Sequence, residues 1–183
     1  MIAIDDNGVL AGTRFIASPH CDYRANPADI RLIVIHNISL PPGQFGGNGV
    51  LELFTGQLDP AAHPYFAQIH TLRVSAHFFI RRDGEIIQFV PCLKRAWHCG
   101  VSAWRDWERC NDFSLGIELE GDDDSAFTEM QYRQLQTLIA GLRAAYGELP
   151  LAGHSAIAPG RKTDPGPYFD WTRVDVQNPS EYS

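Results

Sequence analysis

Residues 31–36 (Arg-Leu-Ile-Val-Ile-His) constrain the fold of this 183-residue chain more than any other segment. The run is rich in β-branched residues and predicts a buried central strand. Two more strands, at residues 74–80 and 85–90, flank an Asp83-Gly84 turn, which is a strong β-hairpin signal. Residues 113–120 alternate strictly, so one face of this strand is apolar and the other carries Gly116, Glu118 and Glu120.

One long helix is predicted to begin at Thr128, because residues 128–131 fit a capping box. Apolar residues then recur at helical spacing and form a core stripe of Leu135, Leu138, Ile139 and Leu142. Gly147 and Pro150 mark the end of this helix. A short helix is expected to begin either at Pro60, with Asp59 as its N-cap, or at Pro64. Residues 169–174 predict a last short helix.

Strands and helices in this mixed order predict an α/β fold in which helices flank a central mixed sheet. The length favours a single domain over residues 1–183, with its core at about residues 19–175. Residues 39–49 form a long segment rich in proline and glycine, and loops of this kind are often binding loops or lids. We therefore hypothesise that residues 40–58 form a moving lid.

The composition excludes several classes of partner. The formal net charge is −7, which argues against a nucleic-acid partner. No segment is long and apolar enough to span a membrane. Residues 1–8 carry two acids and lack the features of a signal peptide, so we expect a cytoplasmic protein. The four cysteines (Cys21, Cys92, Cys99 and Cys110) form no C-x-x-C pair and are expected to be free thiols.

The turn-rich segment at residues 153–167 brings an imidazole, an ammonium and a carboxylate close together in sequence, at His154, Lys162 and Asp164. Its prolines and glycines exclude a continuous helix, and such a loop can fold back so that His154 and Asp164 point at one spot. Both are good Zn²⁺ ligands, and a catalytic zinc usually has three protein ligands and a water. The best candidate for the third ligand is His36, at the end of the apolar run.

Five short blocks together resemble the zinc-dependent N-acetylmuramoyl-L-alanine amidases, a superfamily that also includes T7-type phage lysozyme and the peptidoglycan recognition proteins. The blocks are residues 36–43, 74–77, 95–98, 110–121 and 161–166. The similarity runs from about Pro19 to Trp171, and it is greatest to a cytoplasmic branch that acts on 1,6-anhydro-muropeptides.

The resemblance implies a fold like that of those proteins and a Zn²⁺ ion held by His36, His154 and Asp164. It implies catalytic roles for Glu118 and Lys162, and substrate contacts by Asn37, Arg73, Trp97 and Arg109. Glu118, on the polar face of its strand, can act as general base, and Lys162 can stabilise an oxyanion. Glu120 lies on the same face and competes for the role of base, and only the family position favours Glu118.

The residues predicted to contact the substrate fit the chemistry of a muropeptide. Trp97 suits a sugar face or the lactyl–peptide segment, while Arg73 and Arg109 suit the carboxylates of the stem peptide. Two further histidines are near the predicted site: His77 is interpreted as structural or as a neighbour of the ligands, and His98 as part of the substrate pocket.

The resemblance therefore implies a monomeric enzyme of peptidoglycan recycling that cleaves the bond between the lactyl group of anhydro-muramic acid and L-alanine. Its loss would raise the muropeptide signals that induce β-lactamase. A lysin acting on polymeric peptidoglycan and a non-catalytic recognition module are the alternatives. A thiol hydrolase using Cys99 and His98 is disfavoured, because adjacent residues of a strand point to opposite faces.

Overall fold

The computed structural model describes residues 2–174, which contain ten β-strands and four α-helices. The strands are β1 (Arg14–Phe15), β2 (Cys21–Tyr23), β3 (Leu32–Ile38), β4 (Phe78–Ile80), β5 (Ile86–Gln88), β6 (Lys94–Ala96), β7 (Ala103–Trp104), β8 (Trp107–Glu108), β9 (Ser114–Glu120) and β10 (Leu151–Gly153). The helices are α1 (Gly49–Thr55), α2 (Pro64–Ile69), α3 (Glu129–Tyr146) and α4 (His154–Ile157), with 3₁₀ turns at Cys110–Asp112 and Trp171–Arg173.

Six strands form the central sheet in the order β1-β5-β4-β9-β3-β10. Strands β4 and β5 pair antiparallel, as the hairpin signal predicts, while every other neighbouring pair in this sheet is parallel. The predicted mixed sheet is therefore confirmed. The two long strands, β3 and β9, lie side by side over seven residues and are flanked on both edges.

Helices and loops cover both faces of the sheet, which gives three layers. Helix α3 packs its apolar stripe against one face, where Ile33, Ile35 and Leu115 point. On the other face, Leu32 and Val34 pack with Ile157 of α4, and the α1 and α2 helices cover Phe79 and Ile87. Strand β9 is buried at every position, so its polar face is enclosed rather than solvated.

Helix α3 begins with the predicted capping box. The Thr128 hydroxyl accepts the Gln131 N–H at 3.1 Å, and the Gln131 side-chain oxygen accepts the Thr128 N–H at 3.0 Å. The fully buried Gln131 amide also donates to the carbonyls of Glu120, at 2.9 Å, and Ile80, at 3.3 Å. The first turn of α3 is thereby tied to the carboxyl ends of β9 and β4.

Several sequence predictions need correction. Helix α1 occupies residues 49–55 and buries Leu51, Leu53 and Phe54, so the segment 39–49 with its continuation to 58 is not one unstructured loop. The proposed movement of residues 40–58 stays a prediction. Helix α2 begins at Pro64 and not at Pro60, and its N-cap is His63, whose ring accepts the Tyr65 N–H. Asp59 instead accepts the Ala61 N–H in the preceding turn.

The remaining differences concern element ends. Residues 74–77 lie outside β4, and the last predicted helix is a 3₁₀ turn at Trp171–Arg173. The predicted single domain of residues 1–183 extends beyond the described residues 2–174 and stays a prediction. All four cysteines are free, as expected. Among residues 2–174, none of the helices combines the length and apolar character needed to cross a membrane.

We predict that Gln131→Ala destabilises the protein more than Thr128→Ala. Loss of a cap typically costs about 1 kcal/mol. Gln131→Ala also leaves two buried carbonyls without their donor, and each unsatisfied buried group costs about 1–3 kcal/mol. Urea denaturation of both variants measures the difference, with exposed Arg133→Ala as the helix control, expected within about 0.5 kcal/mol of the parent. Equal losses for Gln131→Ala and Arg133→Ala would contradict this role.

Candidate functional site

The register of three parallel strands collects polar residues at one edge of the sheet. In β3 and β9, His36 pairs directly with Glu118. In β10, Gly153 pairs with Ile35, so His154, the next residue, lies beside His36. Polar groups that follow buried parallel strands meet at the carboxyl edge of a sheet, which is where ligands bind in folds of this kind.

The chain after α4 folds back and adds Asp164 to this edge. The Ser155 N–H donates to the Asp164 carbonyl at 2.9 Å, which fixes the return of the loop. Asp164 Oδ2 then lies 2.9 Å from His36 Nδ1 and 3.0 Å from His154 Nδ1, and the two Nδ1 atoms are 3.0 Å apart. The structure therefore brings together the three side chains predicted as metal ligands.

The arrangement of these three donors fits a divalent cation. The outer nitrogen of His154, Nε2, lies 3.0 Å from the Cys99 carbonyl, which can only accept, so Nε2 carries the proton. The Nδ1 lone pair of His154 therefore faces the Asp164 carboxylate. Three atoms about 3 Å apart can all lie about 2 Å from one point, the bond length of zinc to nitrogen and oxygen. Two imidazoles and one carboxylate are a common catalytic zinc set.

The protonation state of the site also suits a metal. Burial lowers the pKa of His36 to about 4, so its imidazole is neutral at neutral pH. Burial alone would raise the pKa of Asp164, but the adjacent His154 and His36 rings outweigh it and hold the pKa below its ordinary range. Metal ligands must be deprotonated, and these two groups already are.

A second group of potential ligands shares His36 with the first. Within residues 2–174, His36, His98 and Cys99 also place one ligand atom each within 4.8 Å of one another. Burial raises the pKa of the Cys99 thiol well above its ordinary value, so this group is less ready to bind a cation.

Glu118 and Glu120 lie on the same strand face but in different environments. Both Glu120 oxygens accept backbone N–H groups, from Gly46 at 2.6 Å and from Arg82 at 2.9 Å. Glu118 Oε2 is buried without a hydrogen-bond partner among the described residues, and Oε1 lies 4.0 Å from His36 Nδ1. Burial, reinforced by the nearby Asp164, raises the pKa of Glu118 well above its ordinary value. Glu120 is thus committed to holding the residue 40–48 loop, while Glu118 is available for proton transfer.

A cavity of about 600 Å³ opens over these residues. The predicted residues in its lining are His36, Asn37, Trp97, Glu118, His154, Lys162 and Asp164. Arg73 and Arg109 are not in this lining. Arg73 is exposed next to lining residues Leu72 and Val74, whereas Arg109 is paired with Asp112 at 3.2 Å and lines a separate groove. Substrate binding by these two arginines stays a prediction.

Some lining residues were not predicted. Asp122 and Asp123 contribute to the cavity, and Asp123 accepts the Asn37 side-chain N–H at 2.8 Å. The apolar wall comes from α1, α2 and the residues that follow, with Leu53, Phe54, Tyr65, Ile69 and Leu72. Helix α1 was not predicted, because it lies next to a stretch rich in proline and glycine, although the apolar spacing of Val50, Leu51, Leu53 and Phe54 was a usable signal.

The other histidines have distinct positions. His77 is fully buried, accepts the Gly116 N–H at 3.0 Å and lies 3.1 Å from the Lys94 carbonyl, which is the expected structural role. His98 lines the cavity, as expected. The argument against a contact between His98 and Cys99 was wrong, because residues 97–99 are not a strand and Cys99 Sγ lies 3.2 Å from His98 Nδ1. The thiol is nevertheless fully buried, and its raised pKa does not suit a nucleophile.

Comparison with known proteins gives consistent similarities. Residues 26–167 match the family described as N-acetylmuramoyl-L-alanine amidase. The chain is 56% identical over 173 residues to 1,6-anhydro-N-acetylmuramyl-L-alanine amidase AmpD of Escherichia coli K12, covering 93% of this chain and 94% of that protein. A crystal structure of a selenomethionine AmpD derivative superposes with a TM-score of 0.91 at 56% identity, over 95% of this chain and 97% of that one.

A more distant structure contains a ligand. It is the complex of the E. coli N-acetylmuramyl-L-alanine amidase AmiD with the substrate anhydro-N-acetylmuramic acid-L-Ala-D-γ-Glu-L-Lys. The TM-score is 0.59 at 29% identity, and the match covers 94% of this chain and 64% of that one.

We predict that Glu118→Gln stabilises the metal-free protein at pH 8. Folding raises the pKa of the Glu118 carboxyl above its ordinary value of 4.5. Below pH 4.5 the carboxyl is protonated in both the folded and the unfolded state. As the pH rises from there through the raised pKa of the folded state, the folded protein loses stability. Glutamine mimics the protonated carboxyl, so the gain in stability of Glu118→Gln over the parent should be largest at pH 8 and should vanish towards pH 4.5. Thermal melts with chelator present measure it, and each kcal/mol corresponds to about 2–4 °C in a domain of this size.

The matched control is Glu120→Gln, which replaces an oxygen that accepts a backbone N–H and should lower the melting temperature. A Glu118→Gln advantage that grows as the pH falls would contradict the assignment of a raised pKa.

Proposed function

Because the chain belongs to the N-acetylmuramoyl-L-alanine amidase family, we propose that it hydrolyses the amide bond between the lactyl group of 1,6-anhydro-N-acetylmuramic acid and the L-alanine of the stem peptide. The observation that carries this proposal is the convergence of His36, His154 and Asp164 within 3.0 Å beneath a cavity of about 600 Å³. The similarity to AmpD over nearly the whole of both chains supports the choice of the anhydro substrate.

We propose that these three residues hold one Zn²⁺ ion. When bound, the ion supplies a Lewis acid for the carbonyl and lowers the pKa of a water molecule towards 7. The protein supports this role by presenting two neutral imidazoles and a carboxylate that is ionised at neutral pH.

Glu118 is proposed to move the proton. Its Oε2 atom is buried and has no hydrogen-bond partner among residues 2–174. Glu118 as a residue is part of the cavity lining. A carboxyl with a raised pKa can take a proton from the attacking water and give it to the departing L-alanine nitrogen near neutral pH. Glu120 cannot do this without releasing the two N–H groups that it accepts.

Lys162 is proposed to stabilise negative charge on the substrate carbonyl oxygen. It lines the cavity beside Asp164, and its ammonium is close enough to oppose the rise in the pKa of Glu118 that burial causes. A preorganised cation where charge develops favours the transition state over the ground state.

The same cavity supplies positions for the rest of the substrate. Trp97 offers an apolar surface, and the Asn37 amide is held by Asp123, at 2.8 Å, and by the Pro165 carbonyl, at 3.0 Å. With its N–H group committed, Asn37 keeps its side-chain oxygen for a substrate amide. Arg73 and Arg109 lie outside this lining, and their contacts with the carboxylates of the stem peptide stay a prediction.

We place this activity in peptidoglycan recycling, where loss of the enzyme would raise the muropeptide signals that induce β-lactamase. A cytoplasmic location and a monomeric state stay predictions of the sequence.

The test is mass spectrometry of 1,6-anhydro-N-acetylmuramyl-tripeptide incubated with the zinc-loaded chain and with a sample stripped by EDTA. Free tripeptide should appear only with zinc, and return of zinc should restore it. Asp164→Ala should lose both zinc and turnover. Glu118→Gln should keep zinc but lower kcat by about 10²–10⁴-fold, the contribution of a general base.

Turnover by the EDTA-stripped protein, or zinc binding by Asp164→Ala equal to that of the parent, would contradict the assignment of the metal site. Intact sacculi provide the second arm: cleavage as fast as that of the soluble fragment would favour the lysin alternative.

A further inference from the structure

His98 contacts a proposed metal ligand from behind and has no role in the mechanism above. Its Nδ1 atom lies 2.9 Å from His36 Nε2, the ring nitrogen that faces away from Asp164. The two rings meet edge to face, with centroids 5.0 Å apart at an angle of 85°. The contact joins residues 62 positions apart in the chain.

The positions of the protons in this contact can be assigned by starting from the Cys110 carbonyl, which can only accept a hydrogen bond. The Ser114 hydroxyl donates its one proton to the Cys110 carbonyl at 2.6 Å, so Ser114 Oγ is an acceptor towards His98 Nε2, at 3.3 Å. His98 therefore carries its proton on Nε2 and has a lone pair on Nδ1. That lone pair accepts the Nε2–H of His36, which leaves the Nδ1 lone pair of His36 facing Asp164 and His154.

We propose that His98 is a positioning residue that selects the metal-binding tautomer of His36, through the relay His36–His98–Ser114–Cys110. The proposal rests on the proposed zinc site. His154 achieves the same result directly, because its Nε2 faces the Cys99 carbonyl at 3.0 Å. Backbone carbonyls thus orient both imidazoles. The Cys99 carbonyl contacts His154 directly, whereas the Cys110 carbonyl acts on His36 through the side chains of Ser114 and His98.

The hydrogen bonds of this relay could also run in the opposite direction, and His36 could then not bind a metal through Nδ1. If His98 carried its proton on Nδ1, it would donate to His36 Nε2, and His36 would then present an N–H to Asp164. The short bond from Ser114 to the Cys110 carbonyl opposes this reversal, because the hydroxyl proton is already committed. Cys99 Sγ, at 3.2 Å from His98 Nδ1, is a weak donor to the same lone pair and favours the same direction.

His98 fits against the central strand β9 only because the residue that it faces there, Gly116, has no side chain. A Cβ atom at Gly116 would lie 2.5 Å from His98 Nδ1 and 2.6 Å from its Cγ. Gly116 therefore lets the imidazole lie against β9, within reach of both Ser114 and His36. This close approach, rather than a left-handed backbone, is the reason for glycine at this position, since its φ is not positive.

The test compares two variants of nearly equal shape in the full-length chain. His98→Asn keeps an acceptor near the position of Nδ1, whereas His98→Leu has none. Zinc affinity is measured by competition with a chromophoric chelator, which needs no substrate. Loss of a hydrogen-bond partner of a metal ligand typically weakens binding by about 10–100-fold. We expect that loss for His98→Leu and a clear recovery towards the parent for His98→Asn.

Each outcome has one meaning. Equal zinc affinity for both variants, whether weakened or unchanged, would overturn the positioning role. Failure of the parent chain to bind zinc would instead overturn the proposed metal site. Circular dichroism melts of the metal-free variants verify folding, and should His98→Leu fail to fold, Ser114→Ala tests the same relay by removing its fixed acceptor.

For Ser114→Ala we expect a smaller loss of zinc affinity in the same direction. A second readout is the ¹⁵N NMR spectrum of the zinc-loaded parent chain, in which His98 should carry its proton on Nε2. A proton on Nδ1 of His98 would overturn the proposal.

Discussion

The parallel pairing of β3 with β9 on one side and β10 on the other is the constraint on which the site depends. It sets His36 opposite Glu118 and brings His154 alongside, because His36 and Glu118 lie within buried strands, and His154 directly after one, that all run in the same direction. A shift of one residue in either register would turn one of these side chains to the α3 face. The apolar packing of the sheet therefore fixes the geometry of the polar site.

Burial gives this site its chemistry and also a cost in stability. Glu118 and Glu120 both lie inside, but only Glu120 is compensated, by two backbone N–H groups. Glu118 keeps an unpartnered oxygen and a raised pKa, which is unfavourable for folding and useful for proton transfer. His36 and His154 are arranged in a similar way: His98 and the Cys99 carbonyl contact their outer nitrogens, and both inner nitrogens face Asp164.

The sequence predicts those parts of the fold that local patterns encode. The β3 run, the Asp83-Gly84 hairpin and the capping box of α3 each carry a signal within a few residues, and the mixed sheet follows from them. Strand β10 has three residues and is defined by its pairing with β3, so no local pattern reveals it. The separate environments of Glu118 and Glu120, and the contact of His98 with His36, depend on residues distant in sequence and could not be predicted locally.

The central claim is that His36, His154 and Asp164 hold the metal, and zinc K-edge X-ray absorption of the full chain with one equivalent of zinc tests it most directly. The structure offers a rival set, His36, His98 and Cys99, that differs in containing sulfur. The account predicts only nitrogen and oxygen neighbours at about 2.0–2.2 Å, with outer-shell scattering from two imidazoles. A sulfur neighbour at about 2.3 Å would contradict it and assign the metal to the rival set.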